Sequence, residues 1–275
     1  MHPGKQLRLR RIWKQKRAVI IPFDHGQYGG VPSGLEDPRV LTDQISGTRA
    51  DAVLVTPGVL RNIFPHLGNL GVILRLDGGF TKYTPVAGDY EPISTVEQAV
   101  QFGVDAGIVF TFVGTEFDAV SLRRLGYTAE KANHWGLPLI SEVLAPSLLN
   151  NHFERNVFVT KPQTGGVEEE TIAVSRIAAE HGADIVKTRY SGDVASFRKV
   201  VQTCGARVLV AGGPKKDQGD EALLQFAHDC VQADAAGIVF GRYVWQHPRM
   251  RKLIDALCAV VHEDATVASA MKHLR

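Results

Sequence analysis

Residues 171–190 read TIAVSRIAAEHGADIVKTRY, and this stretch decides the fold. Thr171, Val174, Ile177 and Ala178 recur at helical spacing, and Gly182 follows as a candidate helix C-cap. Asp184 to Thr188 then forms an apolar run that carries Lys187 near its end. A run without polar alternation suits a strand covered on both faces, as in a parallel sheet. Seven further runs repeat the cycle: Val19 to Phe23, Ala52 to Thr56, Val72 to Leu76, Gly107 to Phe112, Leu139 to Leu144, Arg207 to Val210 and Gly237 to Phe240. Eight strands alternating with helices predict an α/β protein built as a single (β/α)8 TIM barrel, one domain over residues 1–275. An open doubly wound sheet would place Gly-x-Gly-x-x-Gly after an early strand, and no such motif occurs.

The chain has 275 residues, 44% hydrophobic and 22% charged, enough for one large core. Its formal net charge of +2 gives no reason to expect a nucleic-acid partner, and the basic start Lys5 to Arg17 reads as a solvated edge. With no signal peptide and no run of membrane-spanning length, a cytoplasmic location and no membrane contact are expected. Cys204, Cys230 and Cys258 are odd in number and widely spaced, which suits reduced core residues rather than disulfides or a zinc motif.

Active sites of this fold lie at the C-terminal ends of the strands. There the chain places Asp24-His25-Gly26, Ser141-Glu142, Lys187-Thr188-Arg189, Gly212-Gly213-Pro214 and Gly241-Arg242. A lysine facing the barrel interior loses hydration, which favours the neutral amine that attacks a carbonyl; an ordinary strand-end lysine would instead snorkel to water. Alternation puts Arg189 on the face of Lys187, where it would favour the neutral amine further, and turns Glu142 the same way as Ile140 and Leu144. Two cations and two carboxylates, Asp24 and Glu142, thus converge, and the carboxylates are candidates for proton transfer. The plain alternatives are a turn at Asp24-His25 and an arginine partner for Glu142.

Gly212, Gly213 and Gly241 expose backbone N–H groups, and Arg242 adds a forked donor, where barrels commonly hold phosphate. Lys215 and Lys216 read as solvated. Of ten histidines only His25 stands at a strand end, and His152 falls with the rest on helices or loops. Neither metal nor cofactor is expected, and Gly-x-Ser-x-Gly is absent. The longest irregular segments, Thr81 to Pro92 and Ala145 to Gly166, should shape the pocket.

Pro22-Phe23-Asp24-His25-Gly26, Val186-Lys187-Thr188-Arg189-Tyr190-Ser191-Gly192-Asp193, Ala211-Gly212-Gly213-Pro214-Lys215 and Gly241-Arg242-Tyr243-Val244-Trp245-Gln246 resemble the archaeal-type class I fructose-bisphosphate aldolase family. That family includes 2-amino-3,7-dideoxy-D-threo-hept-6-ulosonate synthase and the autoinducer-2 phosphate thiolase. The resemblance spans nearly the whole chain. It implies a Schiff-base lysine at Lys187, an acid/base aspartate at Asp24, phosphate binding at Gly212, Gly213, Gly241 and Arg242, and a homo-oligomer, frequently a decamer. The family's tyrosine acid/base, within Tyr-Pro-Arg-Gly, falls on Leu144 in Ser141-Glu142-Val143-Leu144-Ala145-Pro146. Glu142 resembles the glutamate of tagatose-bisphosphate-type class I aldolases and is the expected replacement, with Tyr190 a weaker one.

The expected function is that of a class I aldolase acting on a phosphorylated ketose such as fructose 1,6-bisphosphate, with dihydroxyacetone phosphate as donor half. The alternatives are a transferase of the same fold, of heptulosonate synthase or phospho-dione thiolase type, and a non-catalytic barrel that binds a sugar phosphate.

Overall fold

The computed structural model describes residues 2–85, 88–153, 158, 166–214 and 218–275. Lys215 and Lys216 lie outside the described residues. All eight apolar runs form strands: β1 Ala18–Pro22, β2 Ala52–Val55, β3 Gly71–Arg75, β4 Ala106–Thr111, β5 Leu139–Val143, β6 Ile185–Arg189, β7 Arg207–Ala211 and β8 Gly237–Val239. They pair in parallel in sequence order and close into a barrel through the β1–β8 pairing, Val19 opposite Ile238. A two-residue antiparallel ladder, Asp77–Gly78 with Glu91–Pro92, stands outside it.

Period-two alternation divides each strand between two cores. Val19, Ile21, Val53, Val55, Leu74, Val109, Val143, Val186, Val208 and Val210 face the helical shell. Ala18, Ile20, Leu54, Ile73, Ile108, Ile140, Ile185, Leu209 and Val239 fill the barrel interior. Each Val, Leu or Ile side chain so buried contributes roughly 1.5–3 kcal/mol. Strands give way to helices at capped turns: Thr56 accepts from the Val59 N–H at 3.4 Å ahead of Pro57–Ile63, and Asp193 accepts from Ala195 and Ser196 ahead of Val194–Cys204. Gly182 takes φ +99°, the left-handed conformation expected after the helix Gly166–Glu180.

The basic N-terminus is a solvated edge only in part: Arg10, Arg11, Lys14 and Lys16 are exposed, whereas Lys5 and Arg17 are buried. The helix Pro3–Ile12 lies across the barrel floor, with Leu9 and Ile12 joining the interior cluster. Three aspartates on that floor accept backbone N–H groups of neighbouring strands: Asp51 from Val19 and Asp105 from Val72, both at 2.8 Å, and Asp184 from Leu139 at 2.9 Å. Lys5, 1% exposed, meets Asp184 at 2.6 Å, Arg11 meets Asp105 at 3.1 Å, and His262 meets Asp51 at 2.8 Å. Buried carboxylates need partners of opposite charge, and the basic segment supplies two of them. Arg17 is also buried, paired with Asp264 at 2.7 Å.

The segment Ala145 to Gly166 is less irregular than expected, since Pro146–His152 forms a helix; residues 154–157 and 159–165 lie outside the described residues. The three cysteines are buried and free of disulfides. Among the described residues no helix is long and apolar enough to cross a membrane.

Candidate active site

Two residues above the apolar floor, the inward positions change character. Ile73 is followed by Arg75, Ile108 by Phe110, Ile140 by Glu142 and Ile185 by Lys187. Glu142 and Lys187 are register partners on β5 and β6, which sets their side chains next to each other, and the Lys187 Nζ donates to Glu142 Oε1 at 2.5 Å. The Arg75 guanidinium donates through Nη2 to Glu142 Oε2 and through Nε to Asp24 Oδ2 at 2.9 Å. Asp24, Arg75, Glu142 and Lys187 are each less than a tenth exposed. The second cation of the site is therefore Arg75 rather than Arg189.

Burial alone would raise the Glu142 carboxyl, but the Lys187 and Arg75 charges outweigh it and hold the group well below the ordinary carboxylate range. Burial likewise opposes the charge on Arg75, and Asp24, Glu142 and Asp77 overcome it, so the guanidinium is firmly ionised. Asp77, 3.5 Å from Arg75 Nη1, is pushed up to about 7 by burial, despite Arg75 and Arg124. His25 is lowered to about 4 by burial, with Arg242 and Lys187 adding to the shift and Asp24 opposing it.

A cavity of about 540 Å³ opens above, lined in part by His25, Tyr28, Lys82, His152, Arg242 and Gln246. Beneath it a chamber of about 20 Å³ is walled by Asp24, Arg75, Glu142 and Lys187 and shares His25, Tyr28, His152 and Phe153 with the larger space. Leu144 contributes no polar atom. It is fully buried in a cluster with Phe80, Tyr90, Phe110, Phe112 and Phe153.

The expected phosphate residues divide between two places. His25 and Arg242 reach the large cavity, whereas Arg189 and Gly212 line a neighbouring one of about 360 Å³ beside Tyr243. Arg189 turns away from Lys187 and donates to Asn151 Oδ1 at 2.8 Å. Its guanidinium carbon would lie 2.9 Å from a Cβ at Gly213, where φ is +72°. The Gly212 N–H is not directed at an anion: it donates to the Val239 carbonyl at 3.1 Å, closing the β7–β8 edge. A Cβ at Gly241 would lie 3.1 Å from His25 Cε1, so this glycine admits the imidazole. Burial lowers Arg189, and the nearby charge of Arg242 lowers it further; two guanidiniums held near each other suit an anion between them.

Sequence reasoning missed Arg75, Tyr28, Lys82 and His152. Arg75 carried a usable signal, being two residues beyond the inward Ile73 at a strand end. His152 carried none, because its place depends on the course of the helix Pro146–His152. Among the described residues no group of three or more His, Cys, Asp or Glu is placed to hold a metal ion.

Residues 18–247 match the model of the DeoC/LacD family aldolases. An uncharacterised aldolase of Saccharolobus solfataricus is 32% identical, with 99% of each chain covered. The 2-amino-3,7-dideoxy-D-threo-hept-6-ulosonate synthase of Halobacterium salinarum is 34% identical over 98% of this chain and 95% of its own. An archaeal fructose-1,6-bisphosphate aldolase, solved with its catalytic lysine covalently bound to the carbinolamine intermediate, superposes with a TM-score of 0.81 at 26% identity, covering 94% of this chain and 99% of that one. Fold and sequence similarity thus extend together from the first barrel strand past the last, and the chain is an enzyme of the aldolase kind that belongs to the DeoC/LacD family.

Proposed function

We propose that the chain is a class I aldolase that makes or breaks a carbon–carbon bond in a phosphorylated ketose such as fructose 1,6-bisphosphate, with dihydroxyacetone phosphate as the donor half. The observation that carries this reading is the Lys187 amine, buried at the bottom of the barrel mouth and in contact with the Glu142 carboxylate. Lys187 passes a proton to Glu142 and adds to the ketone as the neutral amine; Glu142 then relays protons from nitrogen to the carbinol oxygen, which leaves as water when the iminium forms. The iminium then takes the electron pair of the breaking carbon–carbon bond, giving an enamine and an aldehyde. Asp24 holds Arg75, and Arg75 in turn holds Glu142 at the amine. Arg242, Arg189, Gly213 and Gly241 hold the phosphate, with Gly212 shaping the turn.

Borohydride reduction in the presence of dihydroxyacetone phosphate should fix the ketone on Lys187, read by peptide mass. Lys187→Met should abolish both trapping and turnover, and full activity in that variant overturns the mechanism.

The identity to the heptulosonate synthase favours a second reading, a transferase built on the same lysine. Product analysis with an acceptor aldehyde, or with coenzyme A for a thiolase-type transfer, separates transfer from simple cleavage. The reading includes a homo-oligomer, supported by the exposed Val120, Tyr127 and Trp135 on the helix Asp118–Trp135 and tested by light scattering.

A further inference from the structure

The chamber around Lys187 holds two carboxylates, and both are engaged. Asp24 is bound to Arg75, and Glu142 is clamped between Arg75 and Lys187. Both are thus committed to holding buried cations in place, and protonating Glu142 would leave Arg75 and Lys187 poorly compensated. Tyr28 is held in its phenol form by burial. Aldol cleavage nevertheless needs a group to take the hydroxyl proton from the carbon that becomes the aldehyde.

His152 ends the helix Pro146–His152 and lines both the small chamber and the large cavity. Its Nδ1 is buried and makes no hydrogen bond. The ring is fixed edge-on against Phe153, centroids 4.8 Å apart, and tilted against Phe110 at 5.9 Å. Burial lowers the imidazole to about 3, so the resting ring is neutral and its unprotonated nitrogen carries a lone pair; of the charges it feels most, Glu142 acts against that shift and Lys187 with it. The other imidazole at the site, His25, also has a buried Nδ1 without a hydrogen bond, but it stands 3.6 Å from Asp24 and against Gly241, on the side of Arg242.

Resting on the Schiff-base reading above, we infer that His152 is the catalytic base at the aldehyde-forming carbon. With the ketose held as an iminium on Lys187, an imidazole nitrogen of His152 accepts the proton of the hydroxyl on the carbon that leaves as the aldehyde. The O–H electron pair becomes the new C=O bond, and the carbon–carbon pair passes to the iminium to give the enamine. In the synthetic direction the imidazolium returns the proton to the alkoxide.

The test uses the full-length enzyme with His152→Gln and His152→Ala. Borohydride trapping of dihydroxyacetone phosphate on Lys187 should stay within about twofold of the wild-type level, while cleavage of fructose 1,6-bisphosphate falls roughly 10²- to 10³-fold. Added imidazole should restore cleavage by His152→Ala at least about tenfold, because the large cavity admits it, and should do nothing for Lys187→Met. The role of His152 is overturned by wild-type cleavage in either variant, by trapping that falls in parallel with cleavage, or by failure of imidazole to restore cleavage. Absence of trapping in the wild type removes the Schiff-base reading itself, and the role of His152 with it.

Discussion

Glu142 and Lys187 face each other across the β5–β6 pairing as register partners, and their charged ends meet inside the barrel at 2.5 Å. The pair continues through Arg75 to Asp24, so four buried ionisable side chains, three from β3, β5 and β6 and one from the turn just after β1, form one network.

Arg75 is the cation on which both carboxylates depend. Arg75→Met should lower unfolding free energy by about 3–5 kcal/mol, the usual cost of leaving a buried charge uncompensated, and reduce turnover with it. Lys187→Met leaves Glu142 paired with Arg75 and should cost less, about 1.5–3 kcal/mol. Urea unfolding of the two variants gives the ordering.

Acid sensitivity should trace to His25 and His152. Burial lowers them from an ordinary value of 6.5 to about 4 and about 3. Between pH 6.5 and 4 the unfolded chain binds protons that the folded chain does not. Stability therefore falls as pH drops through that window, by at most about 1.4 kcal/mol per pH unit per histidine. His25→Gln should flatten the slope of stability against pH by one proton's worth.

At Gly213 the left-handed backbone and the Arg189 guanidinium both oppose a side chain. Gly213→Ala should destabilise by about 1–2 kcal/mol from backbone strain alone. Displacement of Arg189 should raise KM for the phosphorylated substrate several-fold and leave kcat nearly unchanged, as steady-state kinetics would show.

The floor of the barrel should be separable from its mouth. Lys5→Met breaks the pair with Asp184 and should cost about 3 kcal/mol in thermal or chemical unfolding. The folded fraction should keep its full specific activity, because Lys5 stands at the strand end opposite Lys187.

The eight strands were legible because parallel strands covered on both faces leave apolar runs that no other element mimics at this spacing. Lys187, Glu142 and Asp24 were legible because a charged residue at the end of such a run is an anomaly. Arg75 falls inside the apolar run Val72 to Leu76, where a single charge is easily passed over, although its two-residue spacing from Ile73 turns it inward. The roles of Lys5 and Arg17 could not be seen, since their partners Asp184 and Asp264 are far away in sequence and only barrel closure brings them near. Gly212 was assigned to an anion because a glycine pair after a strand fits that use as well as it fits the bond to Val239 that the fold makes.

The register of β5 against β6 has a practical corollary. A slip of one residue would set Ser141 or Val143 beside Lys187 and turn the Glu142 carboxylate outward into the helical shell. On the proposed chemistry a barrel threaded that way is silent, however compact it is. Turnover per milligram after refolding would then count the correctly aligned molecules, a quantity that circular dichroism and size measurements do not resolve.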